Sequence, residues 1–194
     1  MSKKKNMEDH LVLEKALLVI SEKGPDVFTL ADIGKAVGLA PATLMQRFGS
    51  KQQLLILAAK QANVKLKSDL KVLKESKLPW DQELIHLLSA LPEGFGSRHD
   101  IANSLGVLKL DMIDAELHPI ARQYFESLRH RIQELLQIGQ SSGQLGSSFD
   151  VEMITWELDA LRHGLGIQWT LSGEGTLQKW LENGFNNYFK RIKK

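Results

Sequence analysis

Apolar residues recur along most of the chain at intervals of three and four and seldom alternate, so the pattern predicts helices nearly throughout. In the first run, about Met7 to Lys23, Leu13, Ala16, Leu17 and Ile20 fall on one side, with Glu14, Lys15 and Glu22 on the other. Gly24 then stands where a left-handed cap is expected, and Pro25 blocks continuation. Thr29-Leu30-Ala31-Asp32 reads as a capping box with Asp in place of Glu or Gln, opening a short helix that ends before Gly38. Ile33, Val37 and Leu39 face inward, and the small Ala31 suits a close approach of two helices. Pro41 fits the first position of a third short helix, whose buried row is Leu44 and Phe48. Ser50-Lys51-Gln52-Gln53 is a second capping box, starting a long helix to about Lys74. Pro79 opens a fifth helix that ends near Pro92. Further helices are expected from Arg98 to about Ile113, Glu116 to about Gln140, Asp150 to about Leu171 and Gly175 to about Ile192. The fold expected is all-α, with about nine helices.

Composition changes this picture mainly by exclusion. With 194 residues, 43% of them hydrophobic, the chain can bury a proper core. It has no cysteine, which rules out disulfides, thiolate metal sites and a cysteine nucleophile. The cationic start MSKKKN is not followed by an apolar run of leader length, and no stretch is apolar enough for a membrane span. A cytoplasmic protein with no membrane partner is expected. The net charge of +2 hides an asymmetry: residues 1–75 carry 13 Lys and Arg against 8 Asp and Glu, whereas the rest is acidic. That hints at an anionic partner for the first third.

The second and third helices, joined by the tight turn Val37-Gly38-Leu39-Ala40, have the helix-turn-helix arrangement. In such pairs the second helix enters the major groove of DNA. Once Leu44 and Phe48 are spent on docking it, Ala40, Pro41, Ala42, Thr43, Gln46 and Arg47 face outward. Gln suits adenine, Arg suits guanine or phosphate, and Thr suits phosphate or a thymine methyl. Thr29 and Lys51 stand at helix N-termini, which favour phosphate.

The ungapped run from Val12 to Leu55, including TLADIGKAVGLAPATLMQRFGSK, resembles the DNA-binding domain of the TetR family of bacterial transcription regulators. The resemblance covers about a quarter of the chain; the remainder is similar only in length and in helix number and order. It implies a homodimeric repressor with a DNA-binding domain at 1–52 and a ligand-binding and dimerisation domain at 53–194. A small molecule would release it from a near-palindromic double-stranded operator. The family's phosphate-contacting Thr and Lys fall on Thr29 and Lys51. Its usual Ser, Tyr and His are Ala40, Met45 and Arg47 here, so one cap and one phosphate donor are missing. Met45 is left to touch a sugar or a thymine methyl, and Arg47 is one replacement for the lost contact.

The effector pocket should be apolar with a few polar groups. Candidates from residue type and helix position are His86, His99, Arg122, Tyr124, Trp156 and His163. The small-residue strip with Ala160, Gly164 and Gly166 beside Leu161 and Leu165, and the face of Phe185, Tyr188 and Phe189, could close on each other within one domain; the family resemblance implies instead a twofold four-helix interface between copies. Asp111, Asp114, Glu116 and His118 form the densest set of possible ligands, but their spacing matches no familiar metal motif. No metal, cofactor or enzymatic activity is expected. The alternatives are a small-molecule sensor that does not bind DNA and, more distantly, an enzyme built in the helical pocket.

Overall fold

The structure, a computed structural model, describes residues 7–92 and 94–192. The cationic start therefore lies outside the described residues. Nine helices occur among the described residues: α1 Asp9–Lys23, α2 Leu30–Val37, α3 Pro41–Phe48, α4 Lys51–Glu75, α5 Trp80–Ser89, α6 Arg98–Ile113, α7 Leu117–Ser141, α8 Val151–Ser172 and α9 Leu177–Ile192. None is long and apolar enough to cross a membrane.

Local chemistry sets most of the ends. At the start of α2 the Thr29 hydroxyl accepts from the Asp32 amide at 3.2 Å, and the Asp32 carboxylate accepts from the Thr29 amide at 2.9 Å. Asp in this role completes a reciprocal box. Ser50 Oγ accepts from the Gln53 amide at 3.1 Å, and Asp150 caps α8 by accepting from the amides of Glu152 and Met153. Gly24 has the positive φ expected after α1, but its ψ of 151° lies outside the left-handed helical basin. The end of α1 is instead closed from a distance. Asn103 Nδ2, on α6, donates to the carbonyls of Ser21 and Glu22 at 2.9 and 2.6 Å.

The chain divides into two compact units. Unit 1 holds the residues up to Leu66 together with Ala102–Tyr124; unit 2 holds Lys67–Ile101 and the residues from Phe125 onward. This division differs from a linear cut after residue 52, because α4, α6 and α7 each supply residues to both units. Unit 1 is centred on Val12, Ala16, Phe28, Ile33, Leu44, Leu54 and Ala58, joined by Leu117 of α7. Asn63, buried on α4, donates to the Ile120 carbonyl at 3.0 Å and ties α7 to this core.

Unit 2 is built around Leu84, Leu88, Ile132, Leu135, Leu136, Leu158 and Phe185. Trp80 meets Phe189 edge-on with ring centroids 6.1 Å apart, and its indole N–H donates to Gln144 at 2.6 Å. This resolves one expectation about α9. Phe185 and Phe189 are 0% and 2% exposed, so they are consumed inside the core of unit 2.

Candidate nucleic-acid interface

Within unit 1, α2 and α3 meet through a turn that depends on two glycines. Gly38 adopts φ 70°, ψ 30°, the left-handed conformation that a side chain disfavours. Gly34, buried in α2, lets the turn fold back: a Cβ there would lie 2.5 Å from the Leu39 carbonyl oxygen, whose own residue donates its amide to the Gly34 carbonyl at 2.9 Å. The close approach expected at Ala31 thus belongs to Gly34, and Ala31 is exposed.

Leu44 and Phe48 dock α3, being 0% and 4% exposed. Ala40, Pro41, Ala42, Met45 and Gln46 are exposed, and Thr43 and Arg47 are half-buried. Met45 stands out as a large apolar side chain left in solvent on this helix. Lys51, at the start of α4, lies over the Phe28 ring at 4.2 Å and donates to the Asp26 carbonyl at 3.4 Å. Thr29 is exposed at the N-terminus of α2.

Arg47 is placed differently from its neighbours. Its Nε donates to the Asp9 carboxylate at 2.9 Å, and Nη2 donates to the Met7 carbonyl at 2.7 Å and to Asp9. Its guanidinium also lies over the Phe48 ring at 5.2 Å. The arginine of α3 is therefore occupied at the start of α1. No local pattern reveals this, because Asp9 is 38 residues away.

Asp32 links the α2 cap to α1. Lys23 Nζ bonds its carboxylate at 2.5 Å, and that bond, followed by those from the Thr29 hydroxyl and amide, holds the carboxyl down to about 2. Because the folded value lies below the unfolded one, the contribution is complete above roughly pH 4. It is lost as pH falls through about 2. Asp32→Asn should therefore flatten the dependence of urea stability on pH across that acid window and leave its shape above it unchanged.

The Asp111–His118 segment is organised by structural bonds. Asp114 caps α7 by accepting from the amides of Glu116 and Leu117 at 2.9 and 3.0 Å, and accepts from Gln52 at 3.1 Å. His118 Nδ1 lies 3.0 Å from the Asp111 carbonyl. Burial pushes the Asp111 carboxyl up to about 6, against the pull of His118.

The six candidate effector residues do not converge. His86 and His99 are exposed in unit 2, and Arg122 (exposed) and Tyr124 (half-buried) fall in unit 1. Trp156 and His163 share a cluster with Phe125 and with two residues that sequence reasoning missed, Arg129 and Asp159. Arg129 lies over the Trp156 ring at 4.4 Å and donates to Asp159 Oδ2 at 3.2 Å. His163 Nδ1 lies 2.9 Å from the Asp159 carbonyl, and its ring is 5.9 Å from that of Phe125. Asp159 Oδ1 is buried with no hydrogen-bond partner, and His163 Nδ1 lies 3.8 Å from it. The pairing of Arg129 with Asp159 across 30 residues is what the sequence could not supply.

The residues named for a twofold interface also separate. Leu161, Leu165 and Tyr188 are half-buried, and Leu165 fills the space over Gly184. Gly164 opens onto free space. The outward face of α8 is an apolar strip of Met153, Trp156, Ala160, Gly164, Ile167 and Leu171 at helical spacing.

Residues 12–58 match the family model described as bacterial regulatory proteins, tetR family. No curated protein matches the chain. Among solved structures, a transcriptional regulator from Saccharomonospora viridis in complex with choline aligns with a TM-score of 0.79 at 19% identity, over 94% of this chain and 96% of that one. A TetR-family regulator from Agrobacterium tumefaciens aligns at 0.73 and 18%, over 94% and 96%. The regulator FadR from Bacillus subtilis in complex with stearoyl-CoA aligns at 0.64 and 17%, over 95% and 100%. At these identities the likeness concerns the fold.

Proposed function

We propose that this chain, a member of the TetR family by residues 12–58 and by its fold, is a transcriptional regulator that binds operator DNA as a homodimer and responds to a small molecule. The observation that carries this reading is α3 itself. Two buried residues dock it, and Ala40, Pro41, Ala42, Met45 and Gln46 stand in solvent beyond a glycine turn. Gln46 reads a base edge, Thr43 and Met45 meet sugar or thymine methyl, Lys51 holds a phosphate, and Thr29, whose hydroxyl donates to Asp32 at 2.7 Å, would join it on release from that bond. The sites at Thr29 and Lys51 add the unpaired amides of helix N-termini.

Two features of unit 2 support the rest of the reading. The α8 strip is the face on which a second copy would dock, displacing the interface from Phe185 and Phe189 to Met153, Trp156, Ile167 and Leu171. The half-satisfied cluster of Arg129, Asp159 and His163 beside Phe125 and Trp156 offers an effector both donors and an acceptor. Choline and stearoyl-CoA, bound by structural neighbours, make a small-molecule effector reasonable without specifying its identity.

Gel-shift with DNA from upstream of the gene, repeated over a salt series, tests the function. Affinity should fall linearly in log–log form with rising salt. Lys51→Ala should weaken binding to all sequences and reduce the slope by about one, whereas Gln46→Ala should change the sequence preference. Salt-independent binding, or none at all, would remove the regulator reading in favour of a sensor that does not bind DNA.

A further inference from the structure

Unit 2 contains a charged groove separate from both the Asp159 cluster and the α8 strip. It is an open groove of about 350 Å³, floored by Leu70 and Ser127, between Lys67, Lys71 and Lys74 of α4 and His130, Arg131 and Glu134 of α7. The three lysines, at positions i, i+4 and i+7, share one face of α4. Arg131 has only 8% of its side chain exposed. Its Nε and Nη2 donate to Glu83 at 2.9 and 2.5 Å, and Nη1 donates to Glu134 at 2.5 Å.

A guanidinium carries five N–H donors, so these three bonds leave two unused. Lys74 reaches Glu134 at 3.6 Å, while Lys67 and Lys71 have no carboxylate partner among the described residues. Four cations thus share two carboxylates, Glu83 and Glu134, leaving two positive charges uncompensated. Lysines on an exposed helix are ordinarily just solvated. What distinguishes this site is a pinned arginine with spare donors lining the same concavity.

We propose that the groove binds a small soluble molecule through a phosphomonoester group. Such a group carries a charge of about −1.5 to −2 near pH 7 and three strong acceptor oxygens, matching the two surplus charges and the spare donors. The volume falls in the range of small-molecule pockets. Arg131 is already held in place, so it loses little rotamer freedom when it binds.

The full chain titrated with glycerol 3-phosphate at constant ionic strength, followed by calorimetry and thermal unfolding, tests the site. Saturable binding at one site per chain is expected. The double variant Lys67→Gln, Lys71→Gln should bind at least roughly tenfold more weakly, since two charge-assisted contacts are removed. Its unfolding midpoint without ligand should match the parent, because both side chains are exposed. The proposal is overturned by the absence of saturable binding, by an equal midpoint rise with sodium chloride at matched ionic strength, or by undiminished binding in the double variant. Binding only to vesicles containing phosphatidic acid would also overturn it, placing the phosphate on a membrane. Neither readout involves DNA, so this result is independent of the operator experiment.

Discussion

Glu83→Ala is expected to destabilise unit 2 by about 3–5 kcal/mol, because it leaves a buried guanidinium without its main partner. Glu83 and Arg131 side chains are 5% and 8% exposed, and two of the three Arg131 bonds end on Glu83. Burial would favour a neutral Arg131, but its bonds to Glu83 and Glu134 outweigh that, and the guanidinium stays charged. With Glu83 gone, only the half-exposed Glu134 would remain. Urea unfolding followed by circular dichroism measures the loss. The double replacement Glu83→Leu, Arg131→Met should recover most of it, since a well-packed apolar pair removes both desolvation costs. A loss under about 1 kcal/mol in the single variant would mean that water reaches the pair.

Asp9→Asn is expected to tighten operator binding and steepen its salt dependence by about one unit, since it releases Arg47 towards DNA. A freed arginine that finds a guanine adds about 1–3 kcal/mol of discrimination at that base pair. Arg47→Ala should change DNA affinity little, because the side chain is already committed to Asp9 and Met7. Its stability cost should be no more than about 1 kcal/mol, as Asp9 is largely exposed. Quantitative gel-shift of both variants over a salt series separates the possibilities. If Asp9→Asn leaves affinity and slope unchanged, Arg47 does not compete for the DNA face. If Arg47→Ala lowers the slope, it contacts phosphate in the complex despite its resting position.

With Arg47 held at α1, the missing tyrosine and histidine of the usual pattern are not replaced from the same helix. Under the proposed function, readout would rest on Gln46, Thr43 and an exposed Met45, with Lys51 and the N-terminus of α2 at Thr29 gripping phosphate. An operator read this way should depend strongly on its thymine methyls.

Much of the fold was legible because its determinants are local. Thr29 and Asp32 are three residues apart, as are Ser50 and Gln53, and Asp150 caps amides two and three residues ahead. The docking row Leu44 and Phe48 follows from helical spacing alone. Other features depend on partners that spacing cannot identify. Asn103 closes α1 from 82 residues away, Gly34 rather than Ala31 admits the turn, and Arg131 finds Glu83 across 48 residues. The apolar face of α9 was visible, but whether it met its own protomer or another copy was not. Trp80 and the unit 2 core decide that for Phe185 and Phe189.

The sequence by itself determined the helices, their caps and a third helix too poor in apolar residues to be core, because hydrogen bonds and periodicity act over three or four residues. Tertiary structure decided which side chains on those helices remain available. It withdrew Arg47 to Asp9, left Asp159 Oδ1 without a hydrogen bond and set Lys67 and Lys71 beside an arginine with spare donors. Availability depends on what folds against a residue, and those neighbours lie tens of residues away along the chain.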